Sequence, residues 1–224
     1  MKINFYFLHG WGFDKNFWYP VGNLIRKELF TNSVKYLDLG FFYEKKLIGN
    51  YDSSQKNIFI VHSLGLNWFL KMKIDCFSLI NFFSAPSFLN FQIDSEKKKR
   101  YLKKMIFKFY KNPEDVLSEF YFNCGIETKL YQNHKKKDLK TLSNSLMNLY
   151  QDNQLNEFVE KNFKIFSIYS ESDKIFQPSK KNISNLNKKN HRIKIFKNLN
   201  HAFPLTNPNR TFLIIKSIIN RLVG

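Results

Sequence analysis

The 224-residue chain is 43% hydrophobic and 17% aromatic with only 8 Gly and 6 Pro, enough apolar side chain for one ordinary core. That composition excludes a disordered, collagen-like or low-complexity polypeptide and argues against two equal domains. Lys plus Arg number 36 against 18 Asp plus Glu, a formal net charge of +18 that favours acidic partners (nucleic acid, anionic lipid or an acidic protein) without choosing among them.

Ile3 to Leu8 is a continuous apolar run of strand length, ending in His9-Gly10-Trp11-Gly12, where two glycines open a tight loop. Asp14 can cap a helix whose apolar positions Trp18, Val21, Leu24 and Ile25 follow helical spacing. A short strand, Val34 to Leu37, leads to Asp38, and a third, Asn57 to Val61, runs into His62-Ser63-Leu64-Gly65 and a helix through Leu70 and Lys73. Phe77 to Phe83 makes a fourth strand, stopping at Ser84-Ala85-Pro86. Residues 88–161 then change to helical periodicity with heavy charge, and the pattern predicts a helical insertion between core segments 1–87 and 162–224. Phe163 to Tyr169 and Arg192 to Phe196 restore the strand pattern, and Asn207 to Leu222 is an amphipathic helix. Alternating strands and helices of this kind predict an α/β fold, an open and mostly parallel sheet of about six strands covered on both faces.

In such sheets functional sites gather beyond the carboxyl ends of the strands. The unusual polar residues fall there: His9 and Gly10 after the first strand, Ser63 after the third, Asp173 after the fifth and His201 after the sixth. A serine hydroxyl becomes a nucleophile when an imidazole removes its proton and a carboxylate fixes the imidazole's tautomer, roles open to Ser63, His201 and Asp173. Their order, Ser then Asp then His, is that of hydrolases whose serine sits on a sharp strand-to-helix turn. The two backbone N–H donors needed for a developing oxyanion fall to Trp11 and Leu64.

Phe7-Leu8-His9-Gly10-Trp11-Gly12-Phe13 with Phe17-Trp18, then His62-Ser63-Leu64-Gly65, resembles the α/β-hydrolases. Ser84-Ala85-Pro86, the stretch from Asp173 to Pro178 and the run Asn200 to Pro208 extend the likeness toward the pimeloyl-ACP methyl ester carboxylesterases of biotin synthesis. The resemblance implies an α/β-hydrolase core with a helical cap at 88–161, Ser63 as nucleophile, His201 as base, Asp173 as its orienting acid, and Trp11 and Leu64 as oxyanion donors. It implies no cofactor or metal, and as partner an acidic acyl carrier protein bearing a pimeloyl methyl ester. Docking would fall to the basic run Lys97, Lys98, Lys99, Arg100, Lys103, Lys104, Lys108 and Lys111, which otherwise reads as a solvated helix face. The pattern departs from the family at Val61, where the elbow motif has glycine, and the first strand begins at residue 3, without the two preceding strands of larger relatives.

Phe107, Phe109, Phe120 and Phe122 read either as lining an acyl channel or as core. His9 and His62 read as structural, His134 and His191 as surface residues. Cys76 and Cys124 lack zinc-site spacing and read as reduced packing residues. No apolar run reaches the roughly 18 residues of a membrane span, and the first residues lack a signal-peptide pattern, so a cytoplasmic protein is expected. Two rivals stay open: a general short-acyl esterase or thioesterase, and a catalytically inactive basic module that binds anionic surfaces.

Overall fold

The computed structural model describes residues 3–49, 51–126, 136–186 and 189–223. Six strands, β1 (Ile3–Leu8), β2 (Thr31–Leu37), β3 (Asn57–His62), β4 (Ser78–Phe82), β5 (Lys164–Ser170) and β6 (His191–Phe196), form one sheet in the order β2-β1-β3-β4-β5-β6. Every neighbouring pair is parallel. The continuous apolar runs have their cause in this layout: β1, β3 and β4 are buried at every position because helices cover both faces. At the edges the pattern weakens. β2 begins at Thr31 rather than Val34, because Asn32 and Ser33 carry no apolar signal and donate to the Asn4 side chain instead, each at 2.8 Å.

Against the sheet pack α1 (Tyr19–Glu28), α2 (Gly65–Lys71) and the carboxyl-terminal α9 (Pro208–Val223). Asp14 does cap, but its carboxylate accepts from the Asn16 N–H at 2.7 Å and so starts a 3-10 turn at Lys15–Trp18, ahead of α1. Between β4 and β5 the described helices are α3 (Ser95–Lys111), α4 (Pro113–Cys124), α5 (Leu139–Gln151) and α6 (Leu155–Val159). Short helices α7 (Lys180–Ser184) and α8 (Phe203–Thr206) follow β5 and β6.

The inserted helices lie over the carboxyl edge of the sheet and are bonded to its loops. Trp11 Nε1–H donates to the Leu142 carbonyl of α5 at 2.9 Å, the Tyr121 hydroxyl of α4 to the Gly12 carbonyl at 2.6 Å, and the Ala202 N–H to the Cys124 carbonyl at 3.0 Å. Among the described residues no helix is long and apolar enough to cross a membrane.

His191 is not a surface residue. As the first residue of β6 it turns inward, where it is 3% exposed, packs edge-on to Phe158, and lies 2.6 Å from the Leu186 carbonyl and 2.9 Å from the Ser167 hydroxyl. Its polar neighbours Asn190 and Arg192 hid that orientation. His134 lies outside the described residues.

Candidate active site

The chain passes from β1 to the edge strand β2 and then back across β1 to β3, so the loops after β1 and β3 diverge and leave a crevice between them. Ser63 follows β3 directly and has φ of +51°, a left-handed conformation uncommon for a non-glycine residue. The Ser63 N–H donates to the Phe82 carbonyl at 2.9 Å, and its carbonyl accepts from the Leu66 N–H at 3.0 Å as α2 begins. A Cβ at Gly65 would lie 2.8 Å from the Leu8 carbonyl oxygen and 2.9 Å from that of His9, so only glycine lets α2 start this close to β1. Val61 lies within the β3 ladder, fully buried between Leu8 and Asn81, and the tight approaches to the turn are made at Gly10 and Gly65.

His201 and Asp173 meet on the same edge. His201 Nδ1 lies 2.7 Å from Asp173 Oδ2, and neither side chain is solvent-exposed. Asp173 Oδ1 is occupied by the N–H groups of Ile175 and Phe176 at 2.8 and 3.0 Å, leaving Oδ2 for the imidazole. The carboxylate thus holds the proton on Nδ1 and leaves the Nε2 lone pair bare. Nε2 is buried and has no hydrogen-bond partner among the described residues, Ser63 included. The nearby Glu171 is solvent-exposed and ion-paired with Lys180 at 2.6 Å, while the imidazole's partner is Asp173.

His62 and Phe83 bring His201 to the elbow, their rings lying 4.7 and 5.9 Å from the imidazole. His62 donates through Nε2 to the His201 carbonyl at 2.9 Å. Burial, and then the neighbouring His201, hold it well below the usual imidazole range, so it is neutral. His9 accepts the Leu39 N–H at Nε2 (3.1 Å) and so donates from Nδ1 to the Gly10 carbonyl (2.9 Å), fixing the orientation of that peptide. The next N–H, that of Trp11, and the N–H of Leu64 donate to no acceptor among the described residues.

A cavity of about 480 Å³ opens onto Ser63 and Trp11. Phe88, Leu102, Met105, Phe120, Leu146 and Leu149 give it an apolar lining, and Lys97, Lys98 and Lys174 add cationic side chains. Lys98 is half-buried and donates to the Lys174 carbonyl at 3.2 Å, and its burial lowers its pKa. The rest of the predicted basic run, Lys97, Lys99, Arg100, Lys103, Lys104, Lys108 and Lys111, is exposed on α3, with Lys108 paired to Glu119 of α4 at 3.1 Å. Of the four phenylalanines, Phe120 lines the cavity and Phe109 is buried against Trp11, whereas Phe107 and Phe122 are 65% and 67% exposed beneath Lys111 and Lys174 and line no channel. Leu146 and Leu149 were missed by sequence reading; their only signal is the apolar face of α5. Among the described residues no three His, Cys, Asp or Glu side chains cluster to hold a metal ion.

No protein-family model matches the sequence, and no curated protein matches it. Solved structures do. An esterase from Exiguobacterium antarcticum superposes with a TM-score of 0.79 at 14% identity, covering 97% of this chain and 91% of that one. A bromoperoxidase from Bacillus anthracis gives 0.77 at 12% identity, with 98% and 92% covered, and MenH from S. aureus gives 0.65 at 15%, with 99% and 94% covered. At these identities the likeness establishes the fold, which is that of the α/β-hydrolases.

Proposed function

We propose that this chain is a serine-dependent carboxylic ester hydrolase. The observation that carries the reading is the buried His201–Asp173 pair, its Nε2 unpartnered, set beside a serine held at positive φ. Ser63 Oγ attacks the ester carbonyl as its proton passes to His201 Nε2. The oxyanion so formed is met by the Trp11 and Leu64 N–H groups, each such donor being worth about 100-fold to 1000-fold in rate. The alcohol leaves with the proton from Nε2, and a water deprotonated by the same nitrogen releases the acid and restores Ser63.

The lining of the cavity supports an apolar acyl group beside Ser63. The exposed basic face of α3 supports delivery of that group by an acidic carrier, and with the motif resemblance it favours pimeloyl-ACP methyl ester as substrate. The pairing of Lys108 with Glu119 neutralises one of those charges within the chain and favours the rival, a general short-acyl esterase or thioesterase. The test is acid release from purified pimeloyl-ACP methyl ester, with free dimethyl pimelate and a Ser63→Ala protein alongside. Ser63-dependent release that prefers the carrier-borne ester, and slows as salt rises, is the expected result. Turnover of the free ester alone gives the rival, and no Ser63-dependent turnover or fluorophosphonate labelling overturns the hydrolase reading.

A further inference from the structure

His62, the last residue of β3, is completely buried, its ring stacked on Phe17 at a centroid distance of 4.5 Å. The His201 carbonyl can only accept, so the 2.9 Å contact fixes the proton on His62 Nε2 and leaves Nδ1 bare. Nδ1 is buried without a partner among the described residues, and a Cβ built on Gly10 would lie 2.7 Å from it. An apolar ring would fill the same space without leaving a buried nitrogen unsatisfied, so what the imidazole adds is its bond to His201. That bond complements the one from Asp173: the carboxylate orients the ring of His201, and His62 anchors its backbone. His62 also adjoins Ser63 in the chain and lies against Gly10 of the loop after β1, so it touches three of the four loops of the site, those after β1, β3 and β6.

We infer that His62 is a positioning residue that holds His201 in register with Ser63 through the hydrogen bond from its Nε2 to the His201 carbonyl, an inference that rests on the proposed hydrolase reading. A general base displaced by even about 1 Å loses on the order of 100-fold in rate. Without the bond the carbonyl of His201 is a free buried acceptor, and that peptide keeps only the bond from its Ala202 N–H to the Cys124 carbonyl at 3.0 Å, about which the imidazole can shift against Ser63.

The test compares His62→Phe, which keeps a ring without the donor, with His62→Gln, whose terminal amide places a donor near the position of Nε2. On any ester the parent hydrolyses through Ser63, His62→Phe is expected to lower kcat by about 30-fold to 100-fold with KM within about twofold. His62→Gln is expected to regain most of that loss. The downfield proton resonance of His201 Nδ1–H is expected to be sharp in the parent and in His62→Gln and broadened in His62→Phe. Parent-like kcat and resonance in His62→Phe would overturn the inference, and so would equal losses in both variants, which place the role in ring packing. A long-range proton–nitrogen spectrum of the unchanged protein decides independently of how the variants fold: an Nδ1-protonated His62 is incompatible with the bond. If the parent shows no Ser63-dependent turnover, the hydrolase reading fails while the resonances still decide what His62 does.

Discussion

Asp173 divides its two oxygens between two tasks, and that division sets the consequence of changing it. In Asp173→Asn the carbonyl oxygen can keep the Ile175 and Phe176 N–H groups, which turns the amide N–H₂ toward His201 Nδ1. The imidazole must then carry its proton on Nε2, where it cannot accept one from Ser63. On the proposed hydrolase reading, ester turnover is expected to fall by roughly 10⁴-fold with the fold intact, while Glu171→Gln, altering an exposed carboxylate paired to Lys180, leaves kcat within about twofold. Steady-state kinetics of the two variants check the choice between these acids. Gly65 gives a second test at this scale. The atoms a Gly65→Ala methyl would meet belong to the β1 backbone, which cannot rotate away, so stability is expected to drop by about 1–3 kcal/mol. Gly49→Ala, where a Cβ meets nothing within 4 Å, serves as the control in urea denaturation.

Helices α4 and α5 support the site through bonds to the loops after β1 and β6, and the Trp11 indole is the clearest case. Trp11→Phe removes the donor to Leu142 while keeping an aromatic ring against Phe120, where the centroids are now 4.8 Å apart. One net hydrogen bond predicts a stability loss of about 1 kcal/mol, read by urea denaturation, together with faster proteolysis at α5; unchanged values for both would show that α5 does not steady the loop. These contacts mark where sequence reading stops. β1, β3 and β4 were legible because they are covered on both faces and so are rich in apolar residues, and β5 because its β-branched and aromatic residues Ile165, Phe166, Ile168 and Tyr169 carry the strand pattern despite an exposed Lys164. That Ser63, Asp173 and His201 follow strands β3, β5 and β6 was legible because the strands themselves were, and the tight loop at Gly10 because two glycines open it; a Cβ there would meet His62 Nδ1 at 2.7 Å. The Trp11–Leu142 and His62–His201 bonds join residues 131 and 139 positions apart, and no local pattern encodes such a pairing. The inward face of His191 was hidden for a related reason: an edge strand of alternating burial flanked by charge looks like surface.

For the whole molecule, net charge and buried histidines act in the same direction as pH falls, and they can be separated. A chain of +18 becomes more positive as its 18 acidic residues protonate, a repulsion that salt screens. His191 acts differently. Burial lowers its pKa from 6.5 to about 4, so between these values the unfolded chain binds a proton that the folded chain refuses. Its contribution is therefore intact above pH 6.5, declines as pH falls through that window and is lost near pH 4, an effect of about 3 kcal/mol in all. His62, held well below 6.5 for the same reason, adds to the trend. Melting temperatures of the parent are expected to fall between pH 7 and pH 4.5, and those of His191→Gln to fall less. Because the difference arises from burial between β5 and β6 rather than from surface charge, it is expected to persist in about 0.5 M salt, where the Debye length is only a few ångströms. A parent and variant with parallel pH curves in high salt would show that His191 is not protonated on unfolding, and would leave the acid sensitivity to the excess of positive charge alone.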